Sequence, residues 1–148
     1  MRRAAPEDLD TLVRFNAAMA EETEGKALEL ARLRSGVAAL FQDPNRGFYL
    51  VAEIGGQVAG QLLVTTEWSD WRNAFFWWIQ SVYVAPVYRR RGVYRALHRY
   101  LQAEAQRHGD ICGLRLYVER SNQVAQQVYS SLGMALSHYD LYEIEFSR

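Results

Sequence analysis

One cysteine, Cys112, among 148 residues rules out an internal disulfide and fits a reducing compartment. Its neighbours Ile111 and Leu114 suggest a small core residue rather than a nucleophile. The three histidines, His98, His108 and His138, lack metal-ligand spacing, so no metal site is expected. Neither sign of charge is in excess, because 17 basic residues balance 17 acidic ones. A nucleic-acid binder usually carries a basic surplus, so no nucleic-acid partner is expected. No apolar run approaches the roughly 18–20 residues of a membrane span. The start Met1-Arg2-Arg3 reaches Pro6-Glu7-Asp8 with no apolar stretch, unlike a signal peptide. Repeats, low-complexity segments and linkers are also missing. These absences lead to the expectation of a cytoplasmic protein with one domain over residues 1–148 and no membrane partner.

What the chain has is core material: 49% hydrophobic and 13% aromatic residues, enough for a packed globule. Pro6-Glu7-Asp8-Leu9 reads as a helix start, and Leu9, Leu12, Val13 and Ala17 keep helical spacing to about Ala20. A second helix is expected from about Lys26 to Phe41. After the turn Asp43–Gly47 the period changes to that of strands: Phe48–Ile54, a Gly55-Gly56 hairpin, Val58–Glu67, and then Phe75–Val84. A helix follows Gly92, with Val93, Leu97, Tyr100 and Leu101 expected inside, and ends around His108-Gly109. Ile111–Val118 reads as a strand. Asn122 caps a helix that Gly133 terminates, and Leu141–Phe146 alternates like a terminal strand. An antiparallel meander followed by β-α-β-α-β makes a mixed α/β sheet flanked by helices.

The most informative run is Val82-Tyr83-Val84-Ala85-Pro86-Val87-Tyr88-Arg89-Arg90-Arg91-Gly92-Val93-Tyr94-Arg95. An apolar strand enters a loop of arginines and glycine, and the loop opens a helix. Unsatisfied amides and the positive end of the helix dipole make that junction an anion site. Read alone, Arg89-Arg90-Arg91 is also compatible with a solvated basic turn.

In its context the run resembles the phosphate motif Gln/Arg-x-x-Gly-x-Gly/Ala of the GNAT superfamily of N-acetyltransferases, with Tyr94 standing where the family has a small residue. A second signature, Asn122-x-x-Ala125-x-x-x-Tyr129-x-x-x-Gly133-Met134, is similar to the family's late Asn, Tyr and Leu-Gly-Phe pattern, with Met134 for phenylalanine. The resemblance covers nearly the whole chain. It implies a central sheet of six to seven strands with about four helices, and acetyl-CoA as cosubstrate. The amides and arginines from Arg89 through Arg90, Arg91, Gly92, Val93 and Tyr94 to Arg95 would hold the phosphates. The backbone of Val82 and Val84, with Tyr83 between them, would pair with the pantetheine arm. Asn122 would serve the cofactor, cap its helix, or both.

The implied reaction is acetyl transfer to a primary amine, with Tyr129 as general acid to the thiolate. Family members often carry a glutamate on the strand before the loop, but Phe75–Ser81 holds no carboxylate. Glu119 is therefore the leading candidate for the base, followed by Glu67 and Asp70. In the family the first helices and the middle hairpin wall the acceptor groove. That places Glu22 and Glu24, beside Glu21, and Trp68 and Trp71 as candidates to hold a cationic small amine, polyamine-like compound or peptide amino terminus. The alternatives for these residues are a solvated helix end and ordinary packing. The resemblance also allows a homodimer through the terminal strand. The competing reading for the whole chain is a non-catalytic acyl-CoA-binding or sensing module of the same fold.

Overall fold

The computed structural model describes residues 1–147, which divide into two compact units, Met1–Tyr117 and the segment from Val118 onward. The first unit is built on a five-stranded mixed sheet in the order β1-β2-β3-β4-β5, comprising Arg2–Arg3, Phe48–Ile54, Gln57–Ser69, Ala74–Val84 and Ile111–Leu116. The first four strands are antiparallel neighbours, and β5 joins β4 in parallel. A parallel step requires a crossover, supplied by α3 (Val93–His108).

Alternation along β2 divides the core into two layers. Leu50 and Ala52 face α3 with Leu62, Val64, Trp77 and Ile79, where they meet Val93, Leu97 and Leu101. Tyr49 and Val51 face the other way, against Leu12 of α1 (Leu9–Glu24) and Val37 of α2 (Leu30–Gln42). Burying Leu97 or Leu101 contributes about 2 kcal/mol each. Gly60 of β3 lets α3 approach closely: a Cβ there would lie 3.0 Å from Val93 Cγ1 and 3.1 Å from the Tyr83 carbonyl oxygen. The start of α3 is thereby held next to the end of β4.

The second helix starts at Leu30 rather than Lys26, because the Glu29 carboxylate accepts from the amides of Ala31 and Arg32 and so caps it. Two expected core residues lie outside. The β4–β5 register slips between Phe75 and Phe76, which leaves Cys112 on a bulge, exposed, with its thiol donating to the Phe75 carbonyl. Tyr100 is 36% exposed, because the buried stripe of α3 runs through Leu97, His98, Leu101 and Ala105. Among the described residues the sheet has five strands, not the expected six or seven. Arg2–Arg3 pairs with Val51 and Leu50 as an added edge.

In the second unit, α4 (Gln123–Ser131) is capped by Asn122, whose Oδ1 accepts from the Ala125 amide at 3.1 Å. The terminal strand expected at Leu141–Phe146 does not form. These residues make no ladder among the described residues, and Tyr142, Ile144 and Phe146 are almost fully exposed. Alternation supplies the side-chain pattern of a strand, but only a paired neighbour satisfies its backbone. No helix among the described residues is long and apolar enough to cross a membrane.

Candidate active site

The site grows from the divergence of β4 and β5. Their pairing runs from Phe75 with Ile111 to Ile79 with Leu116 and stops there, while β4 continues to Val84. From Gln80 to Val84 the strand keeps its β3 neighbour and has no partner strand on the β5 side within the first unit. A bulge opposite Gln61 and Leu63 turns the chain at Ser81, which sits at φ 50°. The bulge is held from beneath: Gln61 is fully buried and its Nε2 donates to the Ser81 carbonyl at 3.0 Å. Just before it the Gln80 side-chain Nε2 donates to Thr65 Oγ1. The Ala85 amide returns to β3, donating to the Ala59 carbonyl at 2.8 Å. Antiparallel alternation then directs the amide and carbonyl of Val84 away from β3, toward the open side.

Past Val84 the chain makes a short 3-10 turn over Pro86–Tyr88 and enters the arginine loop. Arg90 and Gly92 both adopt left-handed backbone, at φ 64° and 76°. Left-handed residues beside a helix start curl successive amides inward into an anion-binding concavity. The first ordinary α-helical bond of α3 runs from the Ala96 amide to the Gly92 carbonyl, so Val93, Tyr94 and Arg95 form the first turn, where amides point along the axis. Nothing lies within 4 Å of a Cβ built on Gly92, which leaves the approach to these amides open. The open edge of β4 thus leads directly into a helix N-terminus.

The three arginines differ. Arg90 is exposed and has no hydrogen-bond or ion-pair partner among the described residues. The Arg91 guanidinium lies 5.9 Å from the Tyr88 ring centre. Arg89 is engaged: its Nε donates to the Val84 carbonyl at 2.9 Å and its Nη2 to Glu22 Oε2 at 2.7 Å. Tyr83 donates to the other oxygen of Glu22 at 3.0 Å. Arg89 first, and Tyr83 second, hold the Glu22 carboxyl below the usual carboxylate range. Burial, reinforced by Glu22, pushes the Tyr83 phenol up.

The tryptophans expected at the acceptor side divide by exposure. Trp71 is 88% exposed and Trp68 52%, with Trp68 edge-on to Phe75 at 4.8 Å between centroids. Trp77 is buried in the core. Trp78 donates from Nε1 to Glu67 Oε1 at 2.8 Å, and Arg115 reaches the same oxygen at 3.0 Å. The Arg115 guanidinium also lies 3.5 Å from the Phe76 ring centre. Glu67, a candidate base by sequence, thus accepts from Trp78 and Arg115 on the sheet face; its pairing with them was not read from sequence, where the one signal was an arginine inside the apolar strand 111–116. Glu24 is exposed at the end of α1.

In the second unit, Tyr129 is half-buried on α4, and burial raises its phenol above the ordinary value of 10.0. It therefore keeps its proton at neutral pH. Glu119 is exposed and accepts from the Ser121 hydroxyl at 3.1 Å.

The profile of the acetyltransferase (GNAT) family matches residues 14–134. Among solved structures, the chain resembles a possible acetyltransferase from Clostridium difficile 630 at 44% identity and TM-score 0.93, over 99% of this chain and 97% of that one. It shares the fold of a ribosomal-protein-alanine N-acetyltransferase from Brucella melitensis biovar Abortus 2308, at 19% identity and TM-score 0.78 over 98% and 96% of the two chains. It also shares the fold of an aminoglycoside acetyltransferase from an uncultured soil metagenomic sample, at 19% identity and TM-score 0.74 over 99% and 97%. An arginine–glycine loop opening a helix beside a strand that parts from its parallel neighbour, together with a family match over most of the chain, makes this protein a member of the GNAT acetyltransferase family.

Proposed function

We propose that the protein transfers an acetyl group from acetyl-CoA to a primary amine: a small amine, a polyamine-like compound or a peptide amino terminus. The observation that carries this reading is the continuity of two backbone features, the open β4 edge from Gln80 to Val84 and the left-handed turns at Arg90 and Gly92 before α3. An extended amide-bearing arm fits a free strand edge, as in strand addition. A pyrophosphate fits the helix N-terminus one loop further on. Few ligands carry both parts in that order, and coenzyme A is one of them.

Acetyl-CoA supplies the activated thioester; the rest falls to the chain. Val82 offers its backbone groups and Val84 its amide, with Tyr83 between them. Amides from Arg90 to Arg95, together with the Arg90 and Arg91 side chains, face the phosphates. Asn122 holds the start of α4. Tyr129, whose phenol burial pushes further above its ordinary value, is the proton donor to the departing thiolate. The exposed Glu119 carboxylate accepts the proton of the attacking amine. Trp68, Trp71 and Glu24 receive the acceptor cation through ring faces and charge. The lone thiol of Cys112 fits a cytoplasmic setting, where such a cosubstrate is available.

The test is titration calorimetry with acetyl-CoA, followed by thiol release over a panel of amines, peptides and aminoglycosides. Binding together with amine-dependent thiol release supports the proposal. Binding without consumption of any acceptor favours the sensing module instead, and no binding overturns both.

A further inference from the structure

Arg89 occupies the first position of the loop motif, yet its guanidinium is turned back into the protein. One nitrogen holds the Val84 carbonyl, another holds Glu22, and the group lies 5.3 Å from the Tyr83 ring centre. Tyr83 closes the circuit by donating to Glu22, and its own ring packs on Phe15 at 5.0 Å between centroids. A single carboxylate in the last turn of α1 therefore joins three elements: the helix, the end of β4 and the loop. Both of its oxygens are used, and each by a group beside the open edge.

This arrangement argues against a direct phosphate contact by Arg89. Its charge is already paired, so a phosphate would gain little attraction and would also meet the Glu22 carboxylate. Arg90, with no such partner, shows what an available guanidinium looks like in the same loop. The contact to Val84 adds a second role. That carbonyl faces the open side of β4, so Arg89 caps the last acceptor of the free edge and leaves Val82 as the pairing position upstream.

We propose that Glu22 and Arg89 are positioning residues: an ion-paired brace that fixes the loop against α1 and sets where an extended ligand stops on β4. The inference rests on the reading of the loop as a coenzyme A site. It moves Glu22 from acceptor binding to donor-site geometry, and it leaves direct charge contact with the phosphates to Arg90 and Arg91.

The experiment compares CoA and 3′-dephospho-CoA binding, at several salt concentrations, to the wild type and to Glu22→Gln, Arg89→Gln, the double variant and Arg90→Gln. A brace predicts that Glu22→Gln and Arg89→Gln each weaken both ligands by the same factor, about tenfold, with the double variant no weaker than either single one. The salt dependence stays that of the wild type, whereas Arg90→Gln flattens it. If Arg89→Gln flattens the salt dependence while Glu22→Gln binds as tightly as wild type or tighter, Arg89 is a phosphate ligand and the brace is wrong. Should Arg89→Gln fail to fold by circular dichroism, the exposed Glu22→Gln decides alone: unchanged affinity overturns the proposal. A wild type that binds no CoA at all would instead overturn the reading of the site.

Discussion

The hydroxyl of Tyr94 lies 3.2 Å from Nδ1 of His98, one helical turn further on, and the two rings meet edge to face with centroids 5.8 Å apart. The side chain that departs from the family motif thus runs along α3, away from the loop, while its amide stays in the first turn. Tyr94→Phe should leave acetyl-CoA affinity within about twofold and lower stability by about 1 kcal/mol. Calorimetry and urea denaturation read the two separately, and a large loss of affinity would place the hydroxyl at the ligand.

Burial, and secondarily the Arg95 charge, hold the His98 imidazole below its ordinary value of 6.5. The unfolded chain takes up a proton near pH 6.5 that the folded chain resists. The contribution of His98 to stability is therefore fully present above that pH and is lost as the pH falls toward the folded value. A melting temperature that declines from about pH 6.5 to 5 is expected, and His98→Gln should flatten that part of the curve. A slope identical in the variant would assign the pH response to other groups.

Asp8 ties the amino terminus to the fold. It accepts from Arg2 at 2.8 and 3.0 Å and from the Ala5 amide at 2.7 Å. Arg2 chiefly holds its carboxyl below the ordinary 3.8, so the stabilisation is present above that pH and is lost as the pH falls through the folded value. Asp8→Asn should cost about 2 kcal/mol at neutral pH, and the gap to wild type should close in strong acid. Parallel denaturation curves at both pH values check this.

The loop stores backbone strain at Arg90 and avoids it at Gly92. Since nothing crowds a Cβ at Gly92, Gly92→Ala tests conformation alone and should destabilise by about 1 kcal/mol. Arg90→Gly should stabilise the free protein by a similar amount, about 1 kcal/mol, while weakening CoA. Equal melting temperatures for all three proteins would mean that the left-handed turns are not maintained in solution.

Tyr129→Phe should lower turnover by about 10²-fold with little change in acetyl-CoA affinity, the signature of a proton donor acting late in the reaction. Steady-state rates beside calorimetry measure this, and unchanged turnover would remove Tyr129 from the chemistry.

The strand, loop and helix around residues 89–92 were legible in the sequence because backbone features leave local marks. Glycine at a left-handed position, a proline turn and an apolar strand are all written within sixteen residues, and the Asn122 cap within four. Contacts between distant segments leave no such mark. Glu22 and Arg89 lie 67 residues apart, and Glu67 and Arg115 lie 48 apart. Each reads singly as a surface charge until folding brings its partner near. The terminal alternation at 141–146 failed for a related reason: a strand is a property of two segments, and only one was in view.

Under the proposed function, the five residues of β4 beyond its last parallel pair would meet the donor through main-chain groups. Apart from Tyr83, whose side chain holds Glu22, the residues of this stretch could then change in sequence without altering that edge. The opposite would hold for the exposed Trp68 and Trp71 of the β3–β4 hairpin, whose proposed part in acceptor binding lies entirely in their side chains. On that reading, a handful of substitutions there would change the acceptor and leave the donor edge untouched. The fold thus separates a part that must be kept from a part that can be exchanged.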